Sequence, residues 1–263
     1  MVRGLIPLIF LVLLSGYSAD TDKSNPRDFV LDGTSNLVVV NQSNTGIQIK
    51  TNHWLTVPFR QHTDSIFVTP GETSLLTMPV QGFREYTASI DDIKYSLFSQ
   101  PGATDTVYVL SKGAKSEIRF GGELAEVNEY LKQRENHFGS PDAMFRPRAE
   151  ATQTARNTAE LFAINDSIHA AYLSFLSSYD VTLPDWYKRL ERKRLFFVNE
   201  GFKLNSLFYR NSLLGKQDQF PVGYLDQLTK HPMLNSPEML GEIKYIQFLS
   251  DYIHSLGDPS MLY

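Results

Sequence analysis

The spacing of apolar residues changes period once along this chain, at Gly121-Gly122. Before that pair, apolar and polar residues alternate, as in Ile47-Gln48-Ile49-Lys50. After it, apolar residues recur three and four apart, as in Leu124, Val127 and Leu131. Strand side chains repeat every second residue and helical ones every ~3.6, so the switch separates a sheet region from a helical one. The chain therefore reads as α+β. An N-terminal antiparallel β-sandwich over residues 19–120 is followed by a C-terminal antiparallel helical unit over residues 121–263, packed against it.

Strands are expected at residues 37–40, 46–50, 55–59, 65–69, 74–78, 85–90, 93–99, 106–110 and 116–120. Turn chemistry separates them at residues 41–45, Pro70-Gly71, 79–82, Asp91-Asp92, Pro101-Gly102 and Lys112-Gly113. Asp91-Asp92 predicts a tight hairpin. Pro58 inside a strand marks an edge or a bulge. Many short strands at close spacing argue for a sandwich.

The first helix is expected over residues 123–137, and Ser140-Pro141 has the form of a cap opening a short helical turn. One long helix is expected over residues 148–179, with Ala155, Leu161, Ile164, Ile168, Tyr172 and Leu176 on one stripe. Thr182, Pro184 and Asp185 open the next, which carries Trp186, Leu190, Phe197, Leu204 and Leu207 and ends at Gly215. A short helix over 222–230 precedes a last one over 238–256, capped by Ser236-Pro237 and stopped by Gly257 and Pro259. Phe162, Phe175, Trp186, Phe196, Phe197, Phe202 and Phe208 exceed what a small bundle can bury, so some should pack on the sandwich.

The first residues read as a signal peptide over residues 1–18. Arg3 is the one charge before an apolar run over residues 5–14, which is too short to span a hydrocarbon core of ~30 Å. Gly16 and Ser18 are the small residues a signal peptidase needs, which places the cut between Ser18 and Ala19. Export to the periplasm or cell envelope follows, with no transmembrane span after signal removal. A lipoprotein would have cysteine where Tyr17 stands, and lipid attachment needs that thiol.

Chemistry is narrowed chiefly by what the 263 residues lack. There is no cysteine, which excludes disulfides, thiol catalysis and thiolate metal sites. The net charge of −4 argues against a nucleic-acid partner. The histidines His53, His62, His137, His169, His231 and His254 form neither an i, i+4 pair nor an HExxH helix. No serine lies in a Gly-x-Ser-x-Gly elbow. No catalytic, cofactor-binding or metal-binding residue is assigned, and no cofactor is implied.

Softer features have bland readings beside sharper ones. Gly121-Gly122 reads as a flexible hinge rather than a phosphate cradle. Lys188-Arg189 and Arg192-Lys193-Arg194 wrap around a helix and read as a solvated face with local ion pairs, or else as a partner surface. His53-Trp54 and Tyr86 suit sugar stacking, but their strand positions favour packing. Asp64-Ser65-Ile66, Asp105-Thr106-Val107 and Asp166-Ser167-Ile168 resemble triplets that some Gram-negative envelope systems O-glycosylate.

The stretch from Ile118 through Phe120-Gly121-Gly122-Glu123, Asn128 and Tyr130-Leu131 resembles a junction in TlpA-type envelope thioredoxin-like proteins. There a β-sandwich enters helices through a Phe-x-Gly step followed by Asn and a Tyr-Leu pair. The helices over 151–179 and 185–214 resemble the helical region that follows it. The resemblance implies the accessory half of such a protein. The family's thioredoxin domain would begin near Tyr263, and its dithiol has no position here, because the chain has no cysteine. The expected function is a non-catalytic exported envelope module that binds an envelope protein or other envelope component. A glycan-binding module, or a hydrolase with a site assembled from scattered residues, is the alternative.

Overall fold

The structure, a computed structural model, describes residues 32–56, 59–91, 93–111, 117–139, 145–179 and 183–257. Its first half is a sandwich of two four-stranded sheets. The strands are β1 (Gly33–Asn41), β2 (Ile47–Thr56), β3 (Phe59–Val68), β4 (Thr73–Val80), β5 (Arg84–Ile90), β6 (Ile93–Ser99), β7 (Thr104–Ser111) and β8 (Glu117–Gly122). One sheet runs β4-β1-β7-β8 and the other β3-β2-β5-β6. Pairing is antiparallel except between β1 and β7, which run parallel.

Alternation builds the core. Leu37 and Val39 of β1 point inward, as do Ile47 and Ile49 of β2 and Tyr86, Ala88 and Ile90 of β5. Asn41, fully buried, closes the β1–β2 turn by donating to the carbonyls of Thr45 and Val68. The β5–β6 hairpin pairs Ile90 with Ile93, and Asp91 takes the positive φ of 47° that so tight a turn requires.

One expected strand is corrected. Residues 55–59 are not a strand of their own: Leu55 and Thr56 end β2 and Phe59 opens β3. The strand expected at 65–69 is the end of β3, through Val68, and the one expected at 46–50 runs on to Thr56. Strands β2 and β3 pair from Ile47–Val68 to Thr56–Phe59. Polar cross-strand contacts carry this ladder through a stretch with no apolar alternation. Thr63 Oγ1, for instance, donates to Asn52 Oδ1 at 2.8 Å. Pro58, Lys112-Gly113, Ser140-Pro141, Thr182 and Pro259 lie outside the described residues.

The second half is helical: α1 (Ala125–Phe138), α2 (Arg146–Thr154), α3 (Thr158–Ser178), α4 (Asp185–Leu214), α5 (Tyr224–Thr229) and α6 (Ile243–Gly257). The single helix expected over 148–179 is two helices. Asn157, extended, accepts a bond from the Glu160 amide, and the Glu160 carboxylate accepts one from the Arg156 amide, so a new helix starts there. The last helix begins at Ile243 and not at 238. Pro237–Met239 forms a 3-10 turn, and Gly241 then passes so close to the Gln81 carbonyl that a Cβ would lie 2.0 Å from it.

Helix α1 is the plug of the sandwich. Strands β6 and β8 are edge strands of the two sheets, and α1 packs against both. Asn128 Oδ1 accepts from the Phe98 amide at 2.7 Å and Glu135 Oε1 from the Ser96 amide at 2.6 Å. Lys132 Nζ donates to the Ile118 carbonyl at 3.1 Å. These side chains meet edge groups that would otherwise await another strand. The corner into α1, where a hinge was expected, is closely packed. Gly122 holds φ 94°, a Cβ there would meet the Thr104 carbonyl at 2.6 Å, and Asp105 Oδ1 accepts from the Leu124 amide at 2.7 Å.

Sheet and helices also share a core. Trp186 stacks on Phe83 with centroids 5.5 Å apart, and Tyr187 meets Phe98 edge-on at 5.2 Å. Of the aromatics expected to reach the sandwich, Trp186 does. Phe175, Phe196 and Phe197 pack within the helical unit.

Candidate functional site

Two places in the fold gather polar chemistry. The first is the junction of β5, α1 and α4. Arg134 of α1 is wholly buried and reaches Glu85 of β5 at 2.6 Å and Glu191 of α4 at 3.0 Å. Arg194 bonds Glu191 at 2.7 Å and faces Glu85 at 3.4 Å. Burial alone would raise the Glu85 pKa, but Arg134 and Arg194 outweigh it and hold it down to about 2. Burial likewise pushes Glu191 up, and Arg194 and Arg134 bring it below the usual range. Glu242 sits nearby with its pKa raised by burial, which Arg194 only partly opposes.

This cluster has no room for a ligand. The cavity bordered by Glu85, Glu191, Arg194 and Glu242 holds about 10 Å³, space for at most about one water. Two carboxylates held ionised against two guanidinium groups have no proton to give, and the one carboxylate oxygen without a hydrogen bond, Glu85 Oε2, is buried. Their task is to join sheet to helices.

The second place is a groove of about 390 Å³ between α4 and α6. From α4 it is lined by Phe197, Val198, Gly201, Phe202 and Asn205, which recur at helical spacing on one face. From α6 come Lys244, Gln247, Phe248, Ser250 and Asp251. The floor is aromatic: Phe197 and Phe248 are fully buried, with centroids 5.1 Å apart. Gly201 faces Phe248 across the groove floor, and a Cβ there would stand 3.6 Å from that of Phe248, an ordinary contact.

The groove's charges are few. Lys244 Nζ donates to Gln247 Oε1 at 3.2 Å and lies 4.8 Å from the centre of the Phe145 ring. Burial lowers its pKa, and Glu242 acts against that. Burial raises the Asp251 pKa, against a hydrogen bond from Asn205 and the nearby His254. No histidine lines the groove. Its size falls within the ~300–1,000 Å³ range of small-ligand sites, with an apolar floor and a few polar groups.

Ser18 and Ala19 lie outside the described residues. In the basic run, Lys188 pairs with Asp185 at 2.9 Å, Lys193 pairs with Glu238, and Arg189 and Arg192 are exposed. Arg194 departs from the solvated-face reading, because it is buried in the junction cluster. The described histidines are dispersed: His62 meets Asp64, His137 stacks on Phe175, His231 stacks on Phe196 and His254 meets Phe208. Among the described residues no three His, Cys, Asp or Glu side chains converge as a metal site. Tyr86 is buried in the sandwich core and unavailable to a sugar. Ser65 and Ser167 are exposed, while Thr106 is half-buried.

Sequence reasoning did not find the groove. One signal for it was present. Gly201 interrupts an otherwise strong helical pattern, and glycine inside a helix costs roughly 0.5–1 kcal/mol relative to alanine, so it marks a position where the helix face lacks a side chain. The pairing of Lys244 with Asp251 on one face needed the true start of α6 at Ile243.

The junction quoted for the TlpA-type resemblance has a structural role at almost every position. Ile118 enters the sandwich core, Gly122 turns the corner, Asn128 caps the β6 edge, and Tyr130 and Leu131 join the shared core. No helix among the described residues is long and apolar enough to cross a membrane. The chain as a whole matches no model of a known protein family and none of the curated proteins.

Proposed function

We propose that this protein is a non-catalytic module of the cell envelope that binds an envelope component in the groove between α4 and α6. The observation that carries the reading is the groove itself, with its aromatic floor and its mixed rim of Lys244, Gln247 and Asp251. Its lining holds no serine, histidine and acid set in hydrogen-bonded sequence, and its two charged groups, Lys244 and Asp251, sit two helical turns apart, which favours binding over hydrolysis. The signal-like residues 1–18 support export, and the likeness of residues 118–131 to the TlpA-type junction supports an envelope setting.

Amide-resolved NMR titration tests the reading. The probes are short peptides, soluble glycans, acyl lipids and a chromogenic ester. Saturable shifts at Gly201, Asn205 and Ser250 with no turnover support it. Ester turnover abolished by substitutions in the groove would replace it with a hydrolase. Shifts confined to the strands under a glycan would favour the sugar-binding alternative.

A further inference from the structure

We infer that the groove takes a short peptide of two or three residues, with its terminal carboxylate at Lys244, its α-ammonium at Asp251 and an apolar side chain against Phe202, the half-buried ring of the lining. This rests on the reading of the protein as a binding module and names the ligand class of that site.

The first argument is charge left over. Arg134, Arg194 and Lys203 are buried, and each has a carboxylate within 3.0 Å. Lys244 and Asp251 line a groove, and neither forms an ion pair among the described residues. The lysine bonds an amide oxygen and faces a ring, with Glu242 acting on it from a distance, and the aspartate bonds Asn205 with His254 nearby. Both are partly desolvated, so each gains from a counter-charge that enters with a ligand.

The second argument is spacing. Lys244 and Asp251 stand seven residues apart on one face of α6, two turns or about 10 Å along the axis. Three extended residues reach at most ~10 Å. A free peptide of that length is a zwitterion with its charges at its two ends. Between them it carries amides, which suit the exposed side chains of Asn205, Gln247 and Ser250.

The third argument is exclusion. A neutral glycan would leave both charges of the groove unmatched. A fatty acid would match Lys244 and strand Asp251 against its chain. A helical partner, ~10 Å or more across, needs a longer trough than 390 Å³ provides. A short peptide answers both charges, the Phe202 ring and the volume together.

Calorimetric titration of the purified protein with Ala-Leu-Ala, its N-acetyl form and its C-terminal amide tests this, alongside the variants Lys244→Gln and Asp251→Asn. Each blocked end should weaken binding about tenfold or more, the loss of one charge-assisted contact. Acetylation should cost nothing further in Asp251→Asn, nor amidation in Lys244→Gln. The blocked peptides read the same question on the unaltered protein if a variant fails to fold. Equal binding of free and blocked peptides, or peptide-induced shifts away from Gly201 and Ser250, overturns the inference. If peptides fail but a glycan or lipid shifts those signals, the ligand class is wrong and the binding module stands. If no probe moves them, both fail.

Discussion

Arg134 on α1 meets Glu85 on β5 at 2.6 Å, and this contact crosses the boundary between the sheet and the helices with the guanidinium wholly buried. Arg84, the neighbour of Glu85, is buried too, but its terminal nitrogens have no hydrogen-bond partner. The two arginines should respond oppositely to replacement. Arg134→Met leaves Glu85 and Glu191 short of a counter-charge and should cost about 3 kcal/mol, because breaking a buried pair strands the remaining charge. Arg84→Met removes a buried guanidinium that has no hydrogen bond at its terminal nitrogens and only the charge of Glu242 acting in its favour, and should leave stability unchanged or higher. Urea denaturation of both variants decides it; a large loss in Arg84→Met would show that its guanidinium is matched after all.

The carboxyls predict a stability maximum in mild acid. Glu85 is depressed from 4.5 to about 2 and Glu191 is also lowered, so what they contribute is present above their unfolded pKa and is lost as pH falls toward about 2. Glu135, Glu242 and Asp251 are raised by burial. For these the folded state binds protons first, so stability rises as pH falls from neutrality through their folded pKa values. The melting temperature should rise from pH 7 to about 5 and drop below about 4. Glu242→Gln should flatten the rise and leave the acid drop.

The two halves should not fold apart. Residues 19–120 alone would expose Phe83 and Phe98 and leave the Ser96 and Phe98 amides without Glu135 and Asn128. Residues 121–263 alone would expose Trp186 and bury Arg134 without Glu85. Each fragment should aggregate or melt well below the intact chain in calorimetry. Independent cooperative melting at the temperature of the intact chain would contradict this.

Gly201→Ala should stabilise the protein by roughly 0.5–1 kcal/mol, because the added methyl meets Phe248 at ordinary contact distance and a helix-interior glycine is removed. Gly201→Leu should fill the groove floor and abolish ligand-induced shifts. Thermal denaturation and NMR titration read the two effects separately.

If the protein is exported, mass spectrometry of the chain recovered from a Gram-negative envelope should find Ala19 at its N-terminus. A chain retaining Met1 in the cytoplasm would refute export.

The sheet-then-helix order was legible because Ile47, Ile49 and later Leu124, Val127 and Leu131 face a core and carry its period. Gly215, with φ 64°, ends α4 where its sequence position suggested. The β2–β3 ladder was not legible, because Asn52, Thr63 and Asp64 pair across it without apolar alternation. The break at Asn157 was hidden because Ala155, Leu161 and Ile164 supply apolar residues on both sides of it, so apolar content alone does not mark the cap. The groove depends on Lys244 and Asp251 facing residues some forty positions earlier in the chain, a relation no local pattern encodes.

The plugging of β6 and β8 by α1 bears on how copies of this molecule can associate. Strands β3 and β4 are the opposite edges of the two sheets, and among the described residues neither pairs with a further strand on its outer side. A filament grown by strand addition needs a donor edge and an acceptor edge on every subunit. Here one flank is occupied by a helix whose side chains already bond its backbone. With β6 and β8 closed in this way, β3 and β4 are the edges among the described strands at which another strand could still add, so any pairing of copies through the sheets is confined to that one flank.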